Sequence, residues 1–226
     1  MLILFAYQTT FANPFMQNYE FTNEYQDIVD SKDSQLLQPN QNVRVLYIND
    51  GEELYDYLSK GYLILGSSSF VNHLLSSEKA IEQAKKVKST LVLIEKTLID
   101  QSITIKDSQD KSDINPLYNY FSVFLVLDES YKKSMLGVNI DDLPNDLIKK
   151  YKRNTGAFVF LVYKNTPAYH SNILRNDIIT KINGRDVSKD TFSDILIEEK
   201  NKSSTLKFNV LRESKSLVIP ITLNSF

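Results

Sequence analysis

From Val43 onward the apolar positions recur with periods that change from segment to segment, and each change marks an element. Val43-Arg44-Val45-Leu46-Tyr47 alternates as a half-buried strand does. Leu54, Tyr55 and Leu58 then fall at helical spacing over 51–60, with Gly61 as the stop. Tyr62-Leu63-Ile64-Leu65-Gly66 is a continuous apolar run. Ala80, Ile81, Ala84 and Val87 share one face of a helix over 77–87, and Leu91-Val92-Leu93-Ile94 reads as a buried strand. This β-α-β-α-β order predicts an α/β domain over 43–130, with parallel pairing through crossover helices. A charged connection over 100–116, with room for a hairpin around Ile103 to Ile105, leads to a last strand over 118–127. Asp128-Glu129-Ser130 marks the predicted domain boundary.

The second part, 131–226, has a different rhythm. Met135-Leu136-Gly137-Val138 precedes a short helix near 144–152 and the strand Ala157-Phe158-Val159-Phe160-Leu161-Val162. Next comes Thr166-Pro167-Ala168-Tyr169-His170-Ser171-Asn172-Ile173-Leu174-Arg175-Asn176-Asp177-Ile178-Ile179, then Ile182-Asn183-Gly184-Arg185-Asp186-Val187. Asn183-Gly184 predicts a tight hairpin turn. A helix over 191–199, capped by Asp190, carries Phe192, Ile195 and Leu196 at i, i+3 and i+4. Strands over 205–212 and 217–223 alternate as a half-buried antiparallel pair should.

These C-terminal residues closely resemble the PDZ domains attached to bacterial HtrA-type proteases, whose run reads S-P-A-x-x-A-G-L-x-x-G-D-x-I followed by I-N-G-x-x-V. The register holds without a gap. The two glycines of the family pattern fall on Asn172 and Asn176, and Asn is the residue that best tolerates positive φ after glycine. The resemblance implies an α+β protein in which the α/β (βαβαβ) domain is followed by a PDZ-like, partly open antiparallel β-barrel with two helices. It implies a recognition mode as well: an extended peptide adds as a strand to the sheet edge, its carboxylate held in a nest of backbone N–H groups. Leu136, Gly137 and Val138 would form the carboxylate loop, Asn139 and Ile140 the rest of the docking strand, and Phe192, Ile195, Leu196 and Glu199 the groove helix. No histidine opens that helix, so the implied ligand ends in an apolar residue without a Ser or Thr preference two residues upstream. In the N-terminal part, Gly61-Tyr62-Leu63-Ile64-Leu65-Gly66-Ser67-Ser68-Ser69-Phe70, followed by Gln83 to Val87 and Leu91 to Ile94, resembles a module that precedes PDZ domains in uncharacterised bacterial envelope proteins.

Charge divides unevenly between the parts: residues 1–130 carry 10 basic and 18 acidic side chains, and 131–226 carry 16 and 10. Two separate bodies with opposite net charge are expected. Residues 13–42, rich in Asn, Gln, Asp and Ser and without a sustained period, read as a polar N-terminal arm with at most a short helix. Met1-Leu2-Ile3-Leu4-Phe5-Ala6-Tyr7 followed by Thr10-Phe11-Ala12 resembles a signal-peptide remnant over 1–12 with cleavage after Ala12, hence a periplasmic or secreted protein. No stretch approaches the ~20 apolar residues of a membrane-spanning helix.

No catalytic constellation is legible. The chain has no cysteine and two histidines, and no G-N-S-G-G segment of the associated protease. Gly66-Ser67-Ser68-Ser69-Phe70 has the wrong glycine spacing for a nucleophile elbow, which leaves a serine hydrolase using Ser68 or Ser69 with His73 as the alternative. Asp107, Asp110 and Asp113 lack the glycine hinge of a calcium loop, so no metal or other cofactor is expected. Lys149-Lys150-Tyr151-Lys152-Arg153 reads as one wet helix face and not as a nucleic-acid site, although it keeps a membrane-surface scaffold in view. A protein or peptide partner, taken up without catalysis, is the expectation.

Overall fold

The computed structural model describes residues 13–100 and 116–225. The expected signal remnant, the hairpin around Ile103 to Ile105 and the Asp107, Asp110 and Asp113 triplet lie outside the described residues. The chain divides into two compact units, one of Met1–Leu54 and Leu63–Leu127, the other of Tyr55–Tyr62 and Asp128–Phe226.

In the first unit the elements run α1 (Pro14–Gln17), β1 (Tyr19–Phe21), α2 (Tyr25–Asp30), β2 (Ser34–Gln35), β3 (Arg44–Ile48), α3 (Gly51–Leu58), β4 (Tyr62–Asn72), α4 (Glu78–Val87), β5 (Leu91–Asp100) and β6 (Leu117–Asp128). The division into units falls inside α3. The sheet order is β1-β4-β6-β5-β3, with β2 beside β6. As the crossover spacing predicts, β3 and β5 pair in parallel, from Arg44 opposite Leu91 to Ile48 opposite Glu95. Strand β4 departs from that scheme, because β6 lies between it and β5. Strands β5 and β6 follow one another in the chain and pair antiparallel, an arrangement that needs no crossover helix.

Residues 13–42 are not a polar arm. Phe15 is 1% exposed and meets Phe70 edge-on with ring centroids 4.9 Å apart, in the core with Ala80, Ala84, Val92, Ile94 and Phe124. Asn13 caps α1 by accepting from the Phe15 N–H, and its amide donates to the Lys79 carbonyl and to Glu82. Strand β1 extends the sheet by pairing antiparallel with β4, Tyr19 opposite Ser68. Elements of two to six residues are too short to show a period, so a few anchoring aromatics decide the packing.

The second unit runs β7 (Val138–Asp141), α5 (Asn145–Tyr151), β8 (Ala157–Val162), α6 (Pro167–His170), β9 (Ile178–Ile182), β10 (Arg185–Asp186), α7 (Lys189–Lys200), β11 (Thr205–Arg212) and β12 (Lys215–Thr222). A 3-10 turn over Glu129–Lys133 precedes β7. The sheet order is β12-β11-β9-β8-β7, with β10 beside β9, and the pairs are antiparallel. The path does not close on itself, as a partly open barrel requires, and three α-helices accompany it where two were expected. Asn172 and Asn176 take φ of 58° and 72°, so both family glycine positions keep the left-handed backbone. Asn183 and Gly184, at 48° and 84°, make the type I′-like turn that joins β9 to β10. The cap of α7 is Ser188 and not Asp190: its hydroxyl accepts from the Thr191 N–H, and the Thr191 hydroxyl accepts from the Ser188 N–H.

Candidate functional site

The open edge of β7 is built by where its neighbours' peptide groups go. The Tyr163 N–H donates to the Gly137 carbonyl at 3.0 Å. In a trans peptide the following N–H points the opposite way, so the Val138 N–H faces away from β8. Val138 stands opposite Val162, one step from that bonded pair, and antiparallel alternation turns its carbonyl outward as well. Ile140 stands opposite Val159, whose N–H and carbonyl are both engaged on the β9 side, by Asp177 and Asn176. Both Val138 and Ile140 thus present peptide groups to the side of β7 where the sheet ends. The pairing register shifts between Asn139 and Ile140, past Phe160 of β8; Val138 and Ile140 pack against the core, and the Asn139 amide donates to the Tyr163 hydroxyl at 3.1 Å.

The loop before β7 is held by its carbonyls. Ser134 and Met135 accept from Asn224, Leu136 from the Ala168 N–H, and Gly137 from Tyr163 and the Thr166 hydroxyl. With these carbonyls engaged, trans peptide geometry turns the Leu136 and Val138 N–H groups away from the partners of Met135 and Gly137. Of the three amides expected there, that of Gly137 is already spent on the Ser134 hydroxyl at 2.9 Å. Gly137 itself has φ of 85°, and a Cβ on it would stand 2.2 Å from the Thr166 Cβ. Its glycine is therefore required by Thr166 and by the backbone.

Helix α7 faces β7 through Lys189, whose ammonium bonds Asp141 at 2.6 Å. Helical spacing places Ser193 and Leu196 on the same side. Leu136, Phe192, Ile195 and Leu196 all belong to the buried core cluster, with Val138 and Ile140 packed against it, so the groove floor and the core are one body. Glu199 belongs elsewhere. Its carboxylate accepts from Lys202 at 2.7 Å, from Asn183 at 3.0 Å and from Arg185 at 3.2 Å, which ties the end of α7 to the β9–β10 turn. A carboxylate left 6% exposed needs such partners, and this hairpin supplies them.

Those bonds, Lys202 foremost, hold the Glu199 carboxyl at about 2, below its ordinary 4.5. A folded-state value depressed in this way contributes stability in full above about pH 4.5, and the contribution is lost as pH falls through about 2. Thermal unfolding followed from pH 5 down to about pH 2 should lose stability in that window. The Glu199→Gln variant should show a flatter acid limb, and an unchanged limb would remove Glu199 from the account.

The serines of the alternative reading lie inside β4. Ser68 is 1% exposed and donates to the Phe15 carbonyl at 2.8 Å, a structural hydroxyl closed to substrate. The His73 Nδ1 lies 3.4 Å from the Pro116 carbonyl oxygen. Lys149 and Lys150 occupy the last turn of α5, where cations complement the helix dipole. Among the described residues no group of three His, Asp or Glu is placed to hold a metal, and no helix is long and apolar enough to cross a membrane.

The second unit is thus an open antiparallel sheet with β7 at its edge, and residues 134–223 match the family model of the PDZ domain. This part of the chain is a PDZ domain, similar in sequence to those of HtrA-type proteases. A relative in Chlamydia pneumoniae, described as a probable periplasmic serine endoprotease DegP-like, is 28% identical over 102 residues. That match covers 44% of this chain and 21% of the relative. Among solved structures, the HtrA3 PDZ domain bound to the phage-derived ligand FGRWV is 27% identical over 39% of this chain and 83% of that one, with a TM-score of 0.34. The HtrA-type protease AlgW with a decapeptide is 18% identical over 46% of this chain and 38% of that one, also with a TM-score of 0.34. The PDZ domain of EpsC from Vibrio cholerae is 16% identical over 39% of this chain and 95% of that one, at a TM-score of 0.29.

Proposed function

We propose that this protein is an exported, non-catalytic peptide-binding protein of the bacterial envelope, whose PDZ domain captures C-terminal peptide segments by strand addition. The observation that carries the reading is the open edge of β7. Val138 and Ile140 offer outward peptide groups beside the Leu136 and Val138 amides, and α7 forms the facing wall. The ligand runs antiparallel to β7 with its carboxylate at the loop and an apolar terminal side chain over the Leu136–Ile195–Leu196 part of the core. The envelope placement draws on the apolar Met1–Ala12 segment and on the description of the Chlamydia relative as periplasmic. No step of the reading calls for a nucleophile, a metal or a nucleic acid.

A short strand with few buried anchors must offset its own ordering entropy, so affinity should be micromolar, on the order of −7 to −8 kcal/mol. The test is titration of the full chain with labelled peptides from a C-terminal library, each as free acid and as C-terminal amide. Amidation removes the charge-assisted bonds at the nest and should weaken binding by about 1–3 kcal/mol. Equal binding of acid and amide would mean that the groove reads internal segments. Absence of binding across a diverse library would overturn the assignment.

A further inference from the structure

The upstream end of the groove is bridged. Asp141 ends β7 and Lys189 begins α7, and their side chains join the two walls at 2.6 Å. Both ends of the bridge are held in place: the same Asp141 carboxylate oxygen accepts from the Asp142 N–H at 2.8 Å, and the reciprocal Ser188–Thr191 bonds fix the first turn of α7. A second carboxylate, that of Asp142, stands 3.6 Å from the Lys189 ammonium. All three side chains remain partly open to solvent, at 44% for Lys189, 55% for Asp141 and 79% for Asp142.

A strand rises about 3.3 Å per residue, so Val138 and Asp141 are about 10 Å apart along β7. A peptide with its carboxylate at the loop therefore reaches the bridge at about the fourth residue from its end, where it must either stop or pass the Lys189–Asp141 pair. Two carboxylates and one ammonium leave the bridge one cation short of balance. A basic side chain arriving there completes the set: it takes Asp141 and Asp142, and Lys189 swings into water at little cost, since a solvent-exposed ion pair is only weakly held. An acidic side chain would have to take Lys189 away from two neighbouring carboxylates and leave all three negative groups together.

We infer that the Lys189–Asp141 pair is an exchangeable strap across the groove, and that the peptides this domain takes carry a Lys or Arg about three residues before an apolar C-terminus. The inference rests on the peptide-binding reading above, and its test separates the two. Three pools of labelled heptapeptide acids, random except for Lys, Gln or Glu fixed at the fourth residue from the end, are titrated against the full chain. The Lys pool should bind about two- to fivefold tighter than the Gln pool, with the Glu pool weakest, and the spread should shrink with added salt. In Lys189→Ala the competitor is gone, so the Lys pool should bind tighter than it does to the wild type. In Asp141→Asn with Asp142→Asn the Lys-to-Gln ratio should fall to near one. If the pools bind the wild type equally and Lys189→Ala does not improve the Lys pool, the strap is refuted while the groove stands. A Glu pool that binds best also refutes it. If no pool binds at all, the peptide-binding reading itself fails.

Discussion

Gly137→Val should cost the protein about 3 kcal/mol or more of folding stability, through left-handed backbone strain and overpacking together. At φ of 85° a β-branched residue is strained whatever the space, and the space is already filled: the new Cβ would stand 2.2 Å from both Cβ and Oγ1 of Thr166. Thr166→Ala should not rescue the variant, because alanine keeps the Cβ that makes the clash. The expected result is a large loss in the midpoint of urea unfolding, with peptide binding lost only as the fold is lost. A Gly137→Val protein as stable as the wild type would show that the loop before β7 has another conformation open to it. The substitution is thus a probe of how Thr166 holds the loop, and peptide amidation is the cleaner probe of the nest.

Arg212→Ala should be as damaging, at about 3–5 kcal/mol, because it strands a buried carboxylate. Asp177 is fully buried and receives two bonds from Arg212, Nε to Oδ1 at 2.7 Å and Nη2 to Oδ2 at 2.8 Å, while its Oδ2 also accepts from the Leu174 N–H. Arg212 reaches further to the Asn172 carbonyl, so one side chain on β11 pins the whole turn between the two left-handed asparagines. That turn feeds β8, since the Val159 N–H donates to the Asp177 carbonyl and the Asn176 N–H donates to that of Val159. Arg212→Lys should recover only part of the loss, because a single ammonium cannot reproduce the two-pronged geometry. Urea unfolding of the three proteins measures this; equal stability of Arg212→Ala and wild type would show that the pair contributes nothing net.

By itself the sequence determined the elements wherever a segment was long enough to show its period. It determined the turn chemistry too: asparagine replaced glycine at positions 172 and 176, and both kept the positive φ the motif demands. The PDZ unit was legible for this reason, since its motifs are local and each residue type answers a backbone requirement within a few positions. What tertiary structure decided is everything that depends on a distant partner. Tyr19–Phe21 became a strand because β4 offered an edge, and Phe15 entered a core that distant residues such as Ala80, Val92 and Phe124 supply. Strand β4 was set apart from β5 by β6, which no pattern within β4 could announce. At the site, helical spacing grouped Glu199 with Phe192 and Ile195, but Asn183, Arg185 and Lys202 claimed its carboxylate, and Ser134 claimed the Gly137 amide. The Lys189–Asp141 bridge joins residues 48 positions apart, and nothing in either local sequence marks it. Periodicity and turn chemistry act through neighbours along the chain, whereas hydrogen bonds and ion pairs across the groove exist only once folding has brought the two walls together.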